Sequence, residues 1–217
     1  SGGGFMLFGD KSAQRSCALC FEGIDVSLGF LERFWWRDDL CFVCREAMGS
    51  RYRLLKVSGF KVHVLHEYSG LVRECILRFK DFGDVFLGRI FLVSFRLRVF
   101  FFFHDWVVVC APSHVDRIRA RGFDHCLVLA GFLNLPVIEG VLGSLSSERQ
   151  ASKSREERLL IGKDLVLLDG SLLKGKKVLV LDDVMTTGST LIACCELLVD
   201  HCDSVEALCV SYVPTNS

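Results

Sequence analysis

The chain has 217 residues, enough to bury a substantial core, and its 26 lysines and arginines are matched by 26 aspartates and glutamates. A net charge of zero excludes a globally basic nucleic-acid binder, so any contact with a polyanion rests on a local patch. Ser1-Gly2-Gly3-Gly4 reads as an added linker before a native start at Met6, and no secretory signal follows it. The expected compartment is therefore the cytoplasm, where most of the 11 cysteines are thiols or metal ligands rather than a disulfide framework.

The first chemical signal is Cys17-x-x-Cys20 followed by Cys41-x-x-Cys44. Each pair brings two thiolates to one ion, and two pairs close a four-thiolate shell around structural Zn²⁺ with no open position. A zinc-binding module over 6–50 is expected, with residues 51–217 forming a second domain. Between the knuckles, the stretch around Trp35 and Trp36 is aromatic and basic. It suits either stacking on nucleobases or a mini-core for the module.

Leu54–Leu65 has strand character, and Tyr68–Lys80 reads as an amphipathic helix with Leu71, Cys75 and Phe79 on one face. The apolar stretch Ile90–Ala111 carries Arg96 and Arg98 near its middle, which disfavours a membrane span. It reads as a helix over Phe91–Phe103 and a buried strand, Trp106–Cys110, that ends in a loop at Ala111-Pro112-Ser113. Arg117, Arg119 and Arg121 alternate before Gly122. Guanidinium groups bind phosphate bidentately, so this segment suits a pyrophosphate or a DNA backbone as well as it suits a solvated turn. Further on, Cys126–Leu133 reads as a helix, Gly140–Gly143 as extended and Val166–Leu168 as a weak strand.

Val178–Leu181 is a buried strand running into Asp182-Asp183, and Thr186-Thr187-Gly188-Ser189-Thr190 then opens a helix over Ser189–Asp200. Unpaired amides and the positive end of the helix dipole make the turn an anion site. Two carboxylates beside it need ribose hydroxyls, or a divalent cation bridging to phosphate. A final strand covers Val205–Val210. Alternating strands and helices predict an α/β fold with a mostly parallel sheet flanked by helices, its ligands at the carboxyl ends of the strands.

The run Val178–Thr190 resembles the phosphoribosyl-pyrophosphate (PRPP) loop of type I phosphoribosyltransferases. The resemblance implies Thr186, Thr187, Gly188, Ser189 and Thr190 for the 5-phosphate, and Asp182 and Asp183 for the ribose diol. The order of four-cysteine module, Tyr68-x-Gly70-x-x-Arg73-Glu74-x-Ile76-x-x-x-Lys80, strand ending at Pro112, Arg121-Gly122-Phe123, Gln150 to Arg155 and Arg158, and PRPP loop resembles the ComF family. Members act in DNA uptake during natural transformation. That family commonly has Val-Pro-x-Pro where this chain has Cys110-Ala111-Pro112-Ser113, and Asn-Gln where it has Asp124-His125.

The resemblance adds Pro112, Ser113 and Arg121 to the PRPP residues, with Mg²⁺ arriving with PRPP. It implies single-stranded DNA as a partner, with Arg117, Arg119, Lys153, Arg155, Trp35 and Trp36 as its surface. A DNA translocase or helicase at the inner membrane is a further candidate partner, which would hold the chain peripherally at the inner face of the cytoplasmic membrane. Two alternatives stay open: an active phosphoribosyltransferase of salvage or biosynthesis, and a PRPP-sensing regulator. No catalytic residue is assigned.

Overall fold

The computed structural model describes residues 16–24, 40–49, 52–93, 95–113, 115–144 and 165–214. Lys153, Arg155, Trp35 and Trp36, with the Gln150–Arg158 stretch, lie outside the described residues. A short helix, α1 (Phe42–Met48), follows the second cysteine knuckle. The strand-like segment after it is a hairpin, β1 (Arg53–Val57) and β2 (Phe60–Glu67). Ser58 and Gly59 turn it, both at positive φ, as a tight two-residue hairpin loop requires.

Helix α2 (Gly70–Asp81) is amphipathic as the sequence predicts, with Cys75 and Phe79 buried. The single helix expected over Phe91–Phe103 is instead two, α3 (Phe86–Val93) and α4 (Arg96–Phe103). Phe95 lies between them: it is buried and stacks on Tyr52 at 5.6 Å, and Arg98 lies over the same Tyr52 ring, 3.8 Å from its centre.

Then come β3 (Trp106–Cys110), α5 (Val115–Arg121) and α6 (His125–Leu133). A small antiparallel ribbon joins β4 (Leu142–Ser144) to β5 (Leu165–Leu167). The chain closes with β6 (Lys177–Met185), α7 (Ser189–Leu198) and β7 (Ser204–Tyr212). The main sheet has the order β1-β2-β7-β6-β3, parallel throughout except for β1. The fold is thus α/β, with a mostly parallel sheet and seven described helices.

Period-two alternation along β6 explains the two cores. Leu179 and Leu181 pack in one core with residues of α2, α3, α4 and α6, whereas Val178 and Val180 pack in the other with α7. Cys17, Leu40, Cys44 and Met48 belong to the first core, so the cysteine knuckles are seated on the body of the protein. Strand β6 runs through both acids to Met185, four residues beyond the expected Leu181, because β7 pairs with it as far as Met185–Tyr212. No described helix is long and apolar enough to cross a membrane.

Candidate functional site

The carboxyl ends of β3 and β6 open into one cavity of about 540 Å³. Asp182, Asp183, Thr186, Ser189 and Thr190 line one side of it. Pro112, Ser113, Arg117 and Arg121 also line it, from the β3–α5 loop and α5. Arg117 and Arg121 are one helical turn apart and so share a face, whereas Arg119 is exposed and absent from the lining. Thr187 and Gly188 shape the turn rather than line the cavity. Thr187 Oγ1 accepts from the Ser189 N–H at 3.3 Å, and Gly188 takes the left-handed conformation (φ 77°) that closes the turn. The first turn of α7 leaves backbone N–H groups without intrahelical partners beside two threonines and a serine, a local environment suited to phosphate.

The acid pair is not symmetric. Asp183 shares strand parity with Leu179 and Leu181 and is buried. Its Oδ2 meets Lys80 Nζ of α2 at 2.5 Å and His125 Nε2 of α6 at 2.9 Å, while its Oδ1 accepts from the Val184 N–H at 2.6 Å. Burial alone would raise the Asp183 pKa, but the His125 hydrogen bond and the Lys80 charge outweigh it and hold the carboxyl below its ordinary range. Asp182 is shifted the other way, by burial first and then by the negative charge of Asp183. Its Oδ1 accepts from the Asp183 N–H at 2.9 Å and faces Cys126 Sγ at 3.8 Å.

Asp182, Asp183 and His125 have the donor types of a metal site. The Lys80 ammonium, however, already sits on Asp183. The positive charge that the pair requires is therefore supplied by the chain, and Asp182 is the carboxylate with capacity left for a ligand hydroxyl.

Tyr68, Lys80, His125 and Ser144 also line the cavity and were not among the expected site residues. Lys80 had a signal: it continues the i, i+4 row Val72–Ile76, both buried, and a cation on a buried row needs an anionic partner. His125 follows Asp124, which caps α6 by accepting from the Cys126 and Leu127 N–H groups. Arg121 Nη1 donates to His125 Nδ1 at 3.2 Å, and the Ser113 hydroxyl lies 3.5 Å from the same nitrogen.

At the other chemical centre, the sulfurs of Cys17, Cys20, Cys41 and Cys44 all lie within 4.8 Å of one another, with Cys20 and Cys41 at 3.6 Å. A tetrahedral Zn²⁺ with Zn–S of about 2.3 Å places its sulfurs about 3.8 Å apart, so the set fits a structural zinc ion. Backbone N–H groups of Leu19 and Cys44 approach Cys17 Sγ and Cys41 Sγ at 3.5 and 3.4 Å, the contacts expected of thiolate acceptors. The fold is thus phosphoribosyltransferase-like, a mostly parallel sheet with the Thr-rich turn beyond the carboxyl end of β6.

Residues 138–213 match the phosphoribosyl transferase domain family. A stretch of 129 residues is 29% identical to Competence protein ComFC of Bacillus subtilis (strain 168), covering 58% of this chain and 53% of that protein. Over 151 residues the chain is 28% identical to Competence protein ComFC of Streptococcus pneumoniae (strain ATCC BAA-255 / R6), covering 68% and 61%. Over 99 residues it is 34% identical to an adenine phosphoribosyltransferase of Marinomonas sp. (strain MWYL1), covering 43% and 52%. The chain is thus a ComFC-like protein of the phosphoribosyltransferase type, whose matches span between 53% and 61% of the length of the two ComFC relatives.

Proposed function

We propose that this chain binds a phosphoribosyl ligand of the PRPP class and serves DNA uptake by handling incoming single-stranded DNA. The observation that carries the reading is the composition of one cavity: Thr186, Ser189 and Thr190 beside the acid pair, with Arg117 and Arg121 in the same lining. The turn suits the 5-phosphate, Asp182 a ribose hydroxyl, and the two arginines the pyrophosphate with its Mg²⁺. Zinc in the four-cysteine site is structural and holds the knuckles against α2. The DNA part rests on similarity to the ComFC proteins and on exposed Arg117 and Arg119. It carries with it a place at the inner face of the cytoplasmic membrane, beside a DNA translocase or helicase.

The second reading, a phosphoribosyltransferase of salvage or biosynthesis, is favoured by the match to an adenine phosphoribosyltransferase. Three measurements separate the readings. Titration calorimetry with PRPP and Mg²⁺ is expected to give binding that Arg117→Ala/Arg121→Ala weakens by about 3 kcal/mol or more, since hydrogen bonds to charged groups contribute about 1.5–3 kcal/mol each. Equal affinity of wild type and the double variant would sink the assignment. Pyrophosphate release on adding a nucleobase would move the reading to the enzyme. Absence of salt-sensitive anisotropy with a labelled oligonucleotide would remove the DNA part.

A further inference from the structure

His125 stands between the two halves of the cavity. A guanidinium has only donors, so where Arg121 Nη1 approaches His125 Nδ1 at 3.2 Å, that nitrogen must accept. The Ser113 hydroxyl, 3.5 Å from Nδ1, is satisfied in the same way as a donor. The ring proton therefore sits on Nε2, where Asp183 Oδ2 accepts it at 2.9 Å. Gly122, at φ 81°, reverses the chain between α5 and α6 and lets the last residue of one helix reach the first residue of the next.

In this state Arg121 is held by a buried ring rather than by a ligand. A phosphate group entering the cavity competes for the guanidinium, and a charge-assisted bidentate contact is stronger than one bond to an imidazole. Once Arg121 turns away, Nδ1 loses the donor that kept it an acceptor. It then lies between the Asp183 carboxylate and a new anion, and a solvent proton taken up there allows Nδ1–H to donate to a phosphate oxygen. We propose that His125 is a positioning residue that couples anion binding at Arg121 to uptake of one proton at its own Nδ1, so that the site binds its phosphorylated ligand more tightly as pH falls.

The inference rests on the phosphoribosyl-ligand reading and adds regulation of that same site. The charges around the ring are consistent with it. Lys80 from α2 and Arg117 and Arg121 from α5 oppose a further positive charge in the free cavity. Asp182 and Asp183 from β6 favour one, and Asp124, at the start of α6, is engaged in capping. Cys126 faces Asp182 and not the ring.

Ring ¹⁵N resonances of the histidines in the full chain report tautomer and charge directly, with His125 assigned by through-bond correlation to its own backbone amide. Glutamine keeps an amide donor for Asp183 and an acceptor for Arg121 but takes up no proton. The free protein is expected to show an Nε2–H ring. Saturation with PRPP and Mg²⁺, or with inorganic pyrophosphate, should give a ring protonated at both nitrogens. Calorimetry in two buffers of different ionisation heat should show up to one more proton taken up by wild type than by His125→Gln, since Asp182 and the ligand phosphates are common to both. Wild-type affinity should rise up to about tenfold more per unit fall in pH than that of the variant. An Nδ1–H ring in the free protein, or an unchanged ring at saturation, overturns the inference alone, whether or not His125→Gln folds. If neither anion binds wild type, the phosphoribosyl reading fails and this inference with it.

Discussion

The protein gathers anionic ligand atoms in two places and neutralises them differently. The four cysteine sulfurs crowd within 4.8 Å of one another, with Cys20 and Cys41 at 3.6 Å. In the cavity, Asp183 meets Lys80 and His125 from two different helices. The first cluster has the spacing that fits a metal ion, whereas in the second a lysine of the chain already sits on the carboxylate. A set of metal-type donors thus marks a metal site only where the chain has not already filled it. What remains for an outside ligand is then the carboxylate left over, Asp182, and the arginines opposite it.

Metal removal should separate the two most sharply. Cys44→Ser, or a strong chelator on wild type, is expected to remove one zinc per chain by elemental analysis and to unfold the knuckles. Metal binding and folding are coupled in such modules, with apparent free energies of about 10–16 kcal/mol for structural zinc in small peptides. Cys17, Leu40, Cys44 and Met48 share a core with α2, so the loss should expose the α2 surface as well. The Lys80–Asp183–His125 cluster should be unaffected by chelator at first, because the Lys80 ammonium already neutralises Asp183. No zinc in the purified protein, or unchanged stability of Cys44→Ser, would break the comparison.

The internal cation is probed by removing its partner. Asp183→Ala leaves Lys80 and His125 facing each other without an anion, and breaking a buried pair in this way costs about 3–5 kcal/mol. Urea unfolding should therefore report a large loss before any ligand is added. Asp182→Asn should cost far less, about 1 kcal/mol or below. Burial and Asp183 already push the Asp182 pKa up to about 7, and the amide oxygen still accepts from the Asp183 N–H. Equal losses for the two variants would mean that the acids are interchangeable and that Lys80 is not the fixed partner of Asp183.

This asymmetry also marks the limit of what the sequence reveals. The strand, the acids and the Thr-rich turn are contiguous, so their geometry follows from local rules, and the cysteine quartet is legible because a knuckle is a local object. Lys80 and His125 reach Asp183 only because α2 and α6 cover the same face of the sheet, a relation no spacing encodes. The extra length of β6 is likewise decided by its neighbour β7. Arg117 and Arg119 look equivalent in an alternating triplet, yet helical periodicity sends only Arg117 and Arg121 to the cavity.

The smallest expected effect concerns a second histidine–acid pair elsewhere in the sheet. His63 Nε2 meets Glu206 at 2.7 Å, as His125 meets Asp183, but its Nδ1 is capped by the Tyr52 hydroxyl at 2.8 Å. Both ring nitrogens are thus held within the protein, and the residue is buried. Burial lowers the His63 pKa despite the Glu206 contact, and burial also lowers that of His66, whose Nε2 donates to the Phe91 carbonyl at 3.0 Å. A histidine whose folded value is depressed takes up its proton first in the unfolded chain. Stability should therefore fall as pH drops below the ordinary histidine value of about 6.5, by at most about 1.4 kcal/mol per pH unit per group. Glu206 is shifted down because Lys61 and His63 outweigh the opposing effect of burial. Its contribution is present above the ordinary glutamate value of about 4.3 and is lost only as pH falls through and below it. Asp182, held up to about 7, titrates in the same window as the histidines with the opposite sign, so the His63 share is read as the difference between His63→Gln and wild type in urea midpoints from about pH 5 to 7.5. His63→Gln should remove the His63 share, so its midpoints should fall less steeply than those of wild type as pH drops, by at most about 1.4 kcal/mol per pH unit. A slope identical to wild type would mean that His63 is not buried under Tyr52, and would leave the His125–Asp183 pair without its closed counterpart.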